Sequence, residues 1–248
     1  MERGSPEPQP SFVPGGSGGP RSHDTMIAFI CPGQGSQSVG MARDLYEGST
    51  TAKAVLDGIA AALDFPLLQL MFEGPAEELT QTQHAQPALL AHSAAVAAML
   101  AAAGVHPELV AGHSLGEYSA LVAAESLSPV EGARLVRVRG ELMAEVGARV
   151  GGTMAAVIGL DGERLAEAVR EAGQVGTVVL ANLNASDQIV ISGEEAAVQR
   201  AGELAQAAGA KRVIPLSVSG AFHSPLMQPA AEQLGAALAQ ADVRPARV

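Results

Sequence analysis

Apolar positions follow two rhythms along the chain. Short apolar runs at residues 26–31 and 109–112 close on Pro32-Gly33 and on Gly112-His113, the pattern of buried strands. Around them lie longer alanine- and leucine-rich stretches. These predict helices at about 35–45, 52–63, 86–103, 117–124 and 129–147. The last has Ser128 as its N-cap and Pro129 in its first turn. From residue 153 the rhythm changes to strand, helix, strand, strand, helix, strand, over 153–160, 162–172, 178–184, 188–192, 194–208 and 212–218. Ala185-Ser186-Asp187 supplies the turn between the two adjacent strands. This βαββαβ order predicts a ferredoxin-like subdomain over 151–219, inserted into a larger domain made of 26–150 and 220–248. A helix from Pro225 onward returns the chain to that larger domain.

Residues 1–25 break both rhythms. Pro6, Pro8, Pro10, Pro14 and Pro20 alternate with a Gly/Ser run and no apolar segment, which predicts a disordered extension and no signal peptide. The stretch 87–105 is the most apolar, but His92, Ser93 and its many alanines fit a buried helix better than a membrane span. With 15 basic against 26 acidic residues the formal charge is −11, which argues against nucleic-acid binding and leaves room for a local basic patch. Cys31 is the single cysteine, so no intramolecular disulfide forms, and no Cys/His spacing suits a metal. A reducing cytoplasm is the expected setting.

The chemistry concentrates at a few places. Gly112-His113-Ser114-Leu115-Gly116 matches G-x-S-x-G between a strand and a helix, the context that exposes a serine hydroxyl on a sharp turn. Serine needs a base. Of six histidines, His23 lies in the extension, and His84, His92 and His106 sit in or near helices. His113 is expected to point away from the serine. His223, in a loop after a strand, is left as the candidate. On the 129–147 helix, Arg139 falls within the stripe formed by Leu135, Leu142, Met143 and Val146, while Arg134, Arg137, Glu141 and Glu145 are expected on the solvated face. A buried guanidinium needs an anion. That anion is either a protein carboxylate, such as Glu117, or one carried by a substrate.

Five ordered segments carry a family resemblance. They are Pro32-Gly33-Gln34-Gly35-Ser36-Gln37, the run G-H-S-L-G-E-Y-S-A over 112–120, Val138-Arg139-Gly140, the N-x-x-x-Q-x-V-I-S-G element over 184–193, and Gly220-Ala221-Phe222-His223-Ser224. Together they resemble the malonyl-CoA:acyl-carrier-protein transacylases and the acyltransferase domains of polyketide synthases. The resemblance implies an α/β-hydrolase-like large domain and a ping-pong transfer of malonyl from coenzyme A to acyl-carrier protein. It implies Ser114 as nucleophile, His223 as base, the N–H groups of Gln34 and Leu115 as oxyanion hole, and Arg139 as the malonyl carboxylate's partner. It implies Phe222 as a wall that disfavours methylmalonyl, and no metal or redox cofactor. Gly33 and Gly35 let the Gln34 loop approach the substrate carbonyl; a phosphate loop is excluded because G-x-x-x-x-G-K and G-x-G-x-x-G are both absent. An acidic carrier would dock on Lys211 and Arg212, with Arg200 as helper. The rival readings are an esterase or thioesterase on the same core, and an inactive carrier-binding module. Relatives are expected to continue past the position of Val248 with elements that include a glutamine orienting the histidine.

Overall fold

A computed structural model describes residues 26–248; the predicted disordered extension at 1–25 lies outside the described residues. The protein is mixed α/β. Strands β1 (Ala28–Cys31) and β2 (Leu109–Gly112) pair in parallel, with Ala28 opposite Leu109 and Cys31 opposite Gly112. Between them the chain forms α1 (Arg43–Gly48), α2 (Thr50–Ala60), α3 (Leu67–Glu73), α4 (Ala76–Thr80) and α5 (Thr82–Ala102). Helices α6 (Gly116–Ala123) and α7 (Pro129–Val150) follow β2. The 35–45 helix of the sequence reading starts only at Arg43, because Gly35 and Gly40 take positive φ and keep the preceding loop irregular.

Helix α5 has the length and composition of a membrane span, yet half of its most apolar stretch is buried inside the protein. Its buried residues lie between Thr82 and Ala95, and its C-terminal end is partly exposed. Ala88, Leu90, Ala91, Ala94 and Ala95 pack with Leu56 and Ile59 of α2, Leu70 and Met71 of α3, and Leu135 and Val136 of α7. Pro87 lies inside α5. Proline has no N–H, so the carbonyl of Gln83, four residues earlier, loses its helical donor. Arg137 of α7 replaces it, its Nη1 donating to that carbonyl at 3.1 Å. Arg137 also pairs with Asp64 at 3.2 Å and Glu141 at 2.8 Å, and lies over the Phe65 ring. It is therefore a half-buried tie between helices, which corrects its expected place on the solvated face.

The second half forms β3 (Thr153–Ile158), α8 (Gly162–Ala172), β4 (Val178–Ala185), β5 (Gln188–Gly193), α9 (Glu195–Ala207) and β6 (Arg212–Pro215). The four strands make one antiparallel sheet in the order β4-β5-β3-β6. Side chains alternate across it. Ala155, Val157, Ile189 and Ile191 face α8 and α9, whereas Met154, Ala156 and Val190 face α7. Both faces of β3 and β5 are thus covered, which explains their nearly unbroken apolar runs. The last predicted strand is shorter than expected: residues 216–218 leave the sheet as a loop. That loop runs along α7, where a side chain on Gly147 would meet the Ser219 carbonyl at 2.5 Å. A 3₁₀ turn (Pro225–Met227) and α10 (Gln228–Leu238) complete the described chain.

Candidate active site

Ser114 stands on the tight turn between β2 and α6, with φ of 53°. This left-handed backbone is costly for a residue with a side chain and is held by its surroundings. A Cβ on Gly112 would lie 2.0 Å from the Gly116 carbonyl carbon, and one on Gly116 would lie 2.3 Å from the Cys31 carbonyl oxygen. Both motif glycines are therefore required by backbone packed on backbone.

His223 arrives from the other side of the molecule. Ala221 and Phe222 before it are buried, and Ser224 after it caps the 3₁₀ turn by accepting from the Leu226 N–H while donating to the Ala221 carbonyl at 2.7 Å. His223 also has positive φ, 60°. Its Nε2 lies 2.9 Å from Ser114 Oγ, in hydrogen-bond range of a nucleophile and its base. The residue lines the cavity and is exposed along it. Burial first, then the charges of Arg139 and His113, lower its pKa below the ordinary value, which favours the neutral, proton-accepting form near pH 7.

Arg139 reaches the same point from α7. Its Nη2 donates to Ser114 Oγ at 3.0 Å and its Nη1 to Gln86 Oε1 at 2.6 Å. Tyr118 lies near its guanidinium, 5.8 Å from ring centroid to Cζ. Among the described residues, no ion pair involves Arg139. Glu117 is exposed and forms none with it, so the protein-carboxylate alternative is not met. Burial pushes the Arg139 pKa down, though a guanidinium stays charged. Gly140 brings α7 this close: a Cβ there would meet Gln83 Cα at 2.6 Å and the Thr82 carbonyl at 2.8 Å.

These groups line a cavity of about 340 Å³ together with Gln34, Leu115 and Phe222. The Gln34 loop is held by two hydrogen bonds within itself and one from α5. Gly35 N–H donates to Gln37 Oε1 at 2.8 Å, Ser36 Oγ to the Gly33 carbonyl at 2.9 Å, and Thr82 Oγ1 to Gln34 Oε1 at 2.9 Å. A Cβ on Gly33 would collide with His113, so this loop lies directly against the serine turn. Across the cavity the four-stranded sheet contributes Met154, Ala156, Val190, Asn182, Asn184 and Gln188.

The sequence reading missed several lining residues. His113 does not turn away: it lines the cavity, and its Nε2 lies 3.0 Å from Asn184 Oδ1. Asn184 and Gln188 are the first and fifth residues of the N-x-x-x-Q element, which was the available signal. Lys211 and Arg212 are exposed and do not line the cavity. However, Gln188, Ile158 and Arg212 stand opposite one another in one row across the sheet. At sheet spacing this puts Arg212 about 10 Å from the cavity wall, on the same face. Arg200 pairs with Glu171 at 2.9 Å and Glu203 at 3.7 Å on the exposed surface. No group of three or more His, Cys, Asp or Glu among the described residues is placed to hold a metal.

A serine on a left-handed turn, a histidine at 2.9 Å and a half-buried arginine beside both are the groups that acyl transfer through a serine calls for. Residues 28–248 match the acyl transferase domain family, and the chain belongs to that family of acyltransferases. Among its relatives, the malonyl CoA-acyl carrier protein transacylase of Bacillus subtilis (strain 168) is 51% identical over 223 residues, covering 90% of this chain and 70% of the relative. The solved transacylase of the same name from Coxiella burnetii is 40% identical with a TM-score of 0.86, over 90% of this chain and 71% of that one. A type II polyketide-synthase acyl-carrier protein in complex with its malonyl-transacylase aligns with a TM-score of 0.84 and 42% identity, over 89% of this chain and 72% of the matched one.

Proposed function

We propose that the chain transfers a malonyl group from coenzyme A to the phosphopantetheine thiol of acyl-carrier protein, for fatty-acid or polyketide synthesis in the cytoplasm. One observation carries the choice of acyl group: a half-buried Arg139, in no ion pair among the described residues, donates to the nucleophile's oxygen. In a malonyl ester of Ser114 the free carboxylate is only three bonds beyond Oγ, within reach of that guanidinium. An ordinary acyl chain offers it nothing to pair with.

In the first half-reaction His223 Nε2 takes the Ser114 proton as Oγ attacks the thioester carbonyl. Oxyanion charge falls toward the N–H groups of Gln34 and Leu115. The C–S bond then breaks, and the departing coenzyme A sulfur takes the proton from His223. In the second half, the carrier thiol gives its proton to His223 and attacks the ester, and Ser114 Oγ leaves and recovers the proton. Phe222, buried and lining the cavity, is the residue taken to disfavour a methyl branch. Lys211 and Arg212 receive the acidic carrier.

The same reading takes residues 26–150 and 220–248 as an α/β-hydrolase-like domain around β1 and β2, and 151–219 as a ferredoxin-like insert. The strand order β4-β5-β3-β6 with two helices on one face supports the second part. Intact-protein mass spectrometry after exposure to malonyl-CoA tests the chemistry. The wild type is expected to gain one malonyl group, and Ser114→Ala none. A malonylated Ser114→Ala protein refutes the assignment.

A further inference from the structure

Arg139 is one end of a continuous relay. Its Nη1 donates to Gln86 Oε1 at 2.6 Å, Gln86 Nε2 donates to Thr82 Oγ1 at 2.9 Å, and Thr82 Oγ1 donates to Gln34 Oε1 at 2.9 Å. Chemistry fixes the direction of the first two links. A guanidinium can only donate, so the amide atom facing it is the oxygen. The amide nitrogen must then donate to Thr82, and in the structure the Thr82 hydroxyl proton goes to the Gln34 amide oxygen. Gln86 is fully buried and Thr82 is 2% exposed, so neither finds these partners in water. None of the reaction steps uses either residue.

The nature of the group at Gln86 decides what Arg139 can do. An amide oxygen holds a guanidinium in place without cancelling its charge. A carboxylate at the same 2.6 Å would form a buried ion pair and compete with any acyl carboxylate. We propose that Gln86 is a positioning residue that keeps Arg139 aimed at Ser114 with its charge unspent, and that Thr82 couples this to the Gln34 loop. Acyl-group selectivity is then set by four buried or half-buried side chains on three separate segments, not by Arg139 alone. The inference rests on the malonyl reading above.

The test compares loading of Ser114 from malonyl-CoA and acetyl-CoA, by rate of mass gain, in wild type, Gln86→Glu, Thr82→Val and Arg139→Ala. Gln86→Glu is expected to slow malonyl loading about 10- to 100-fold, the weight of one charge-assisted contact, and to change acetyl loading by less than about 3-fold. Thr82→Val keeps the shape, loses both hydrogen bonds of the hydroxyl, and is expected to lower the malonyl-to-acetyl ratio several-fold. A purely structural role would slow both acyl groups alike, and that result overturns the proposal. So does an unchanged ratio in Gln86→Glu where Arg139→Ala changes it. If Gln86→Glu does not fold, an unchanged ratio in Thr82→Val overturns it on its own. An unchanged ratio in Arg139→Ala removes the malonyl reading itself, and this proposal with it.

Discussion

Replacing Gly140 with alanine adds one methyl group where two helices meet backbone to backbone. That Cβ would stand 2.6 Å from Gln83 Cα, 2.8 Å from the Thr82 carbonyl and 3.1 Å from the Gln83 nitrogen. Carbon atoms in comfortable contact sit about 3.5 Å apart, so α7 and the start of α5 must separate by about 0.9 Å. None of the obstructing atoms belongs to a side chain that could rotate away. Overpacking of this kind costs about 1–3 kcal/mol, and alanine returns up to about 1 kcal/mol of helix propensity. Net destabilisation is then about 0–2 kcal/mol, a fall in Tm of no more than about 8 °C for a chain of this size. The functional loss should be larger. Arg139 is the preceding residue and moves with α7, away from Gln86 and from Ser114 Oγ. A misplacement of about 1 Å at a reacting centre can cost about 100-fold. We therefore expect malonyl loading of Gly140→Ala to fall about 30- to 100-fold while the protein still melts cooperatively. Rapid-quench mass spectrometry gives the rate, and thermal circular dichroism the Tm. Gly235→Ala is the control, since a Cβ there meets nothing within 4 Å. Loading within about 3-fold of wild type, at an unchanged Tm, would show that the helices yield elsewhere and that the spacing argument is wrong.

Two further outcomes follow from the site's electrostatics. As the proposed base, His223 must be neutral to accept a proton, and its pKa is lowered, so malonyl loading should hold as pH falls through about 6.5 and decline only below that. Removing the neighbouring charge in Arg139→Ala should move the acid limb of the acetyl-loading profile upward, and only part of the way, because burial is the larger cause; a wild-type limb at or above 6.5 contradicts the assignment. Reversing charge at Lys211 and Arg212 together should raise the KM for acyl-carrier protein about 10-fold and leave loading from malonyl-CoA intact, and unchanged carrier kinetics would remove this patch.

The parts of this site that the sequence made legible are those whose geometry is local. The turn at Ser114 is written in two glycines, and Arg139 stands out because a charge interrupts an apolar stripe. What remained hidden depends on contacts between distant segments. Gln86 reads as one polar residue in an alanine-rich helix, and nothing nearby says that its amide meets α7. Arg137 looks solvated on a helical wheel, yet Pro87 frees the Gln83 carbonyl for it, 54 residues away in sequence. His113 was misplaced because its partner, Asn184, comes from the sheet across the cavity. The sheet itself was readable because strand alternation and turn residues are short-range signals, whereas the end of β6 depends on the loop pressed against α7.

The alternation in β3 and β5 restricts how this half of the protein can change length. Successive residues of these strands serve opposite clients, α8 and α9 on one side and the cavity on the other. Inserting or deleting a single residue within β3 would exchange the two sets, turning Ala155 and Val157 toward the substrate and Met154 and Ala156 toward the helices. Natural variation in length should therefore gather at the connections, in 159–161, 173–177, 186–187 and 208–211, and spare the strands. Of these, the last carries Lys211 beside Arg212, so a change of loop length there would re-space the proposed carrier-docking pair without disturbing the wall behind the serine.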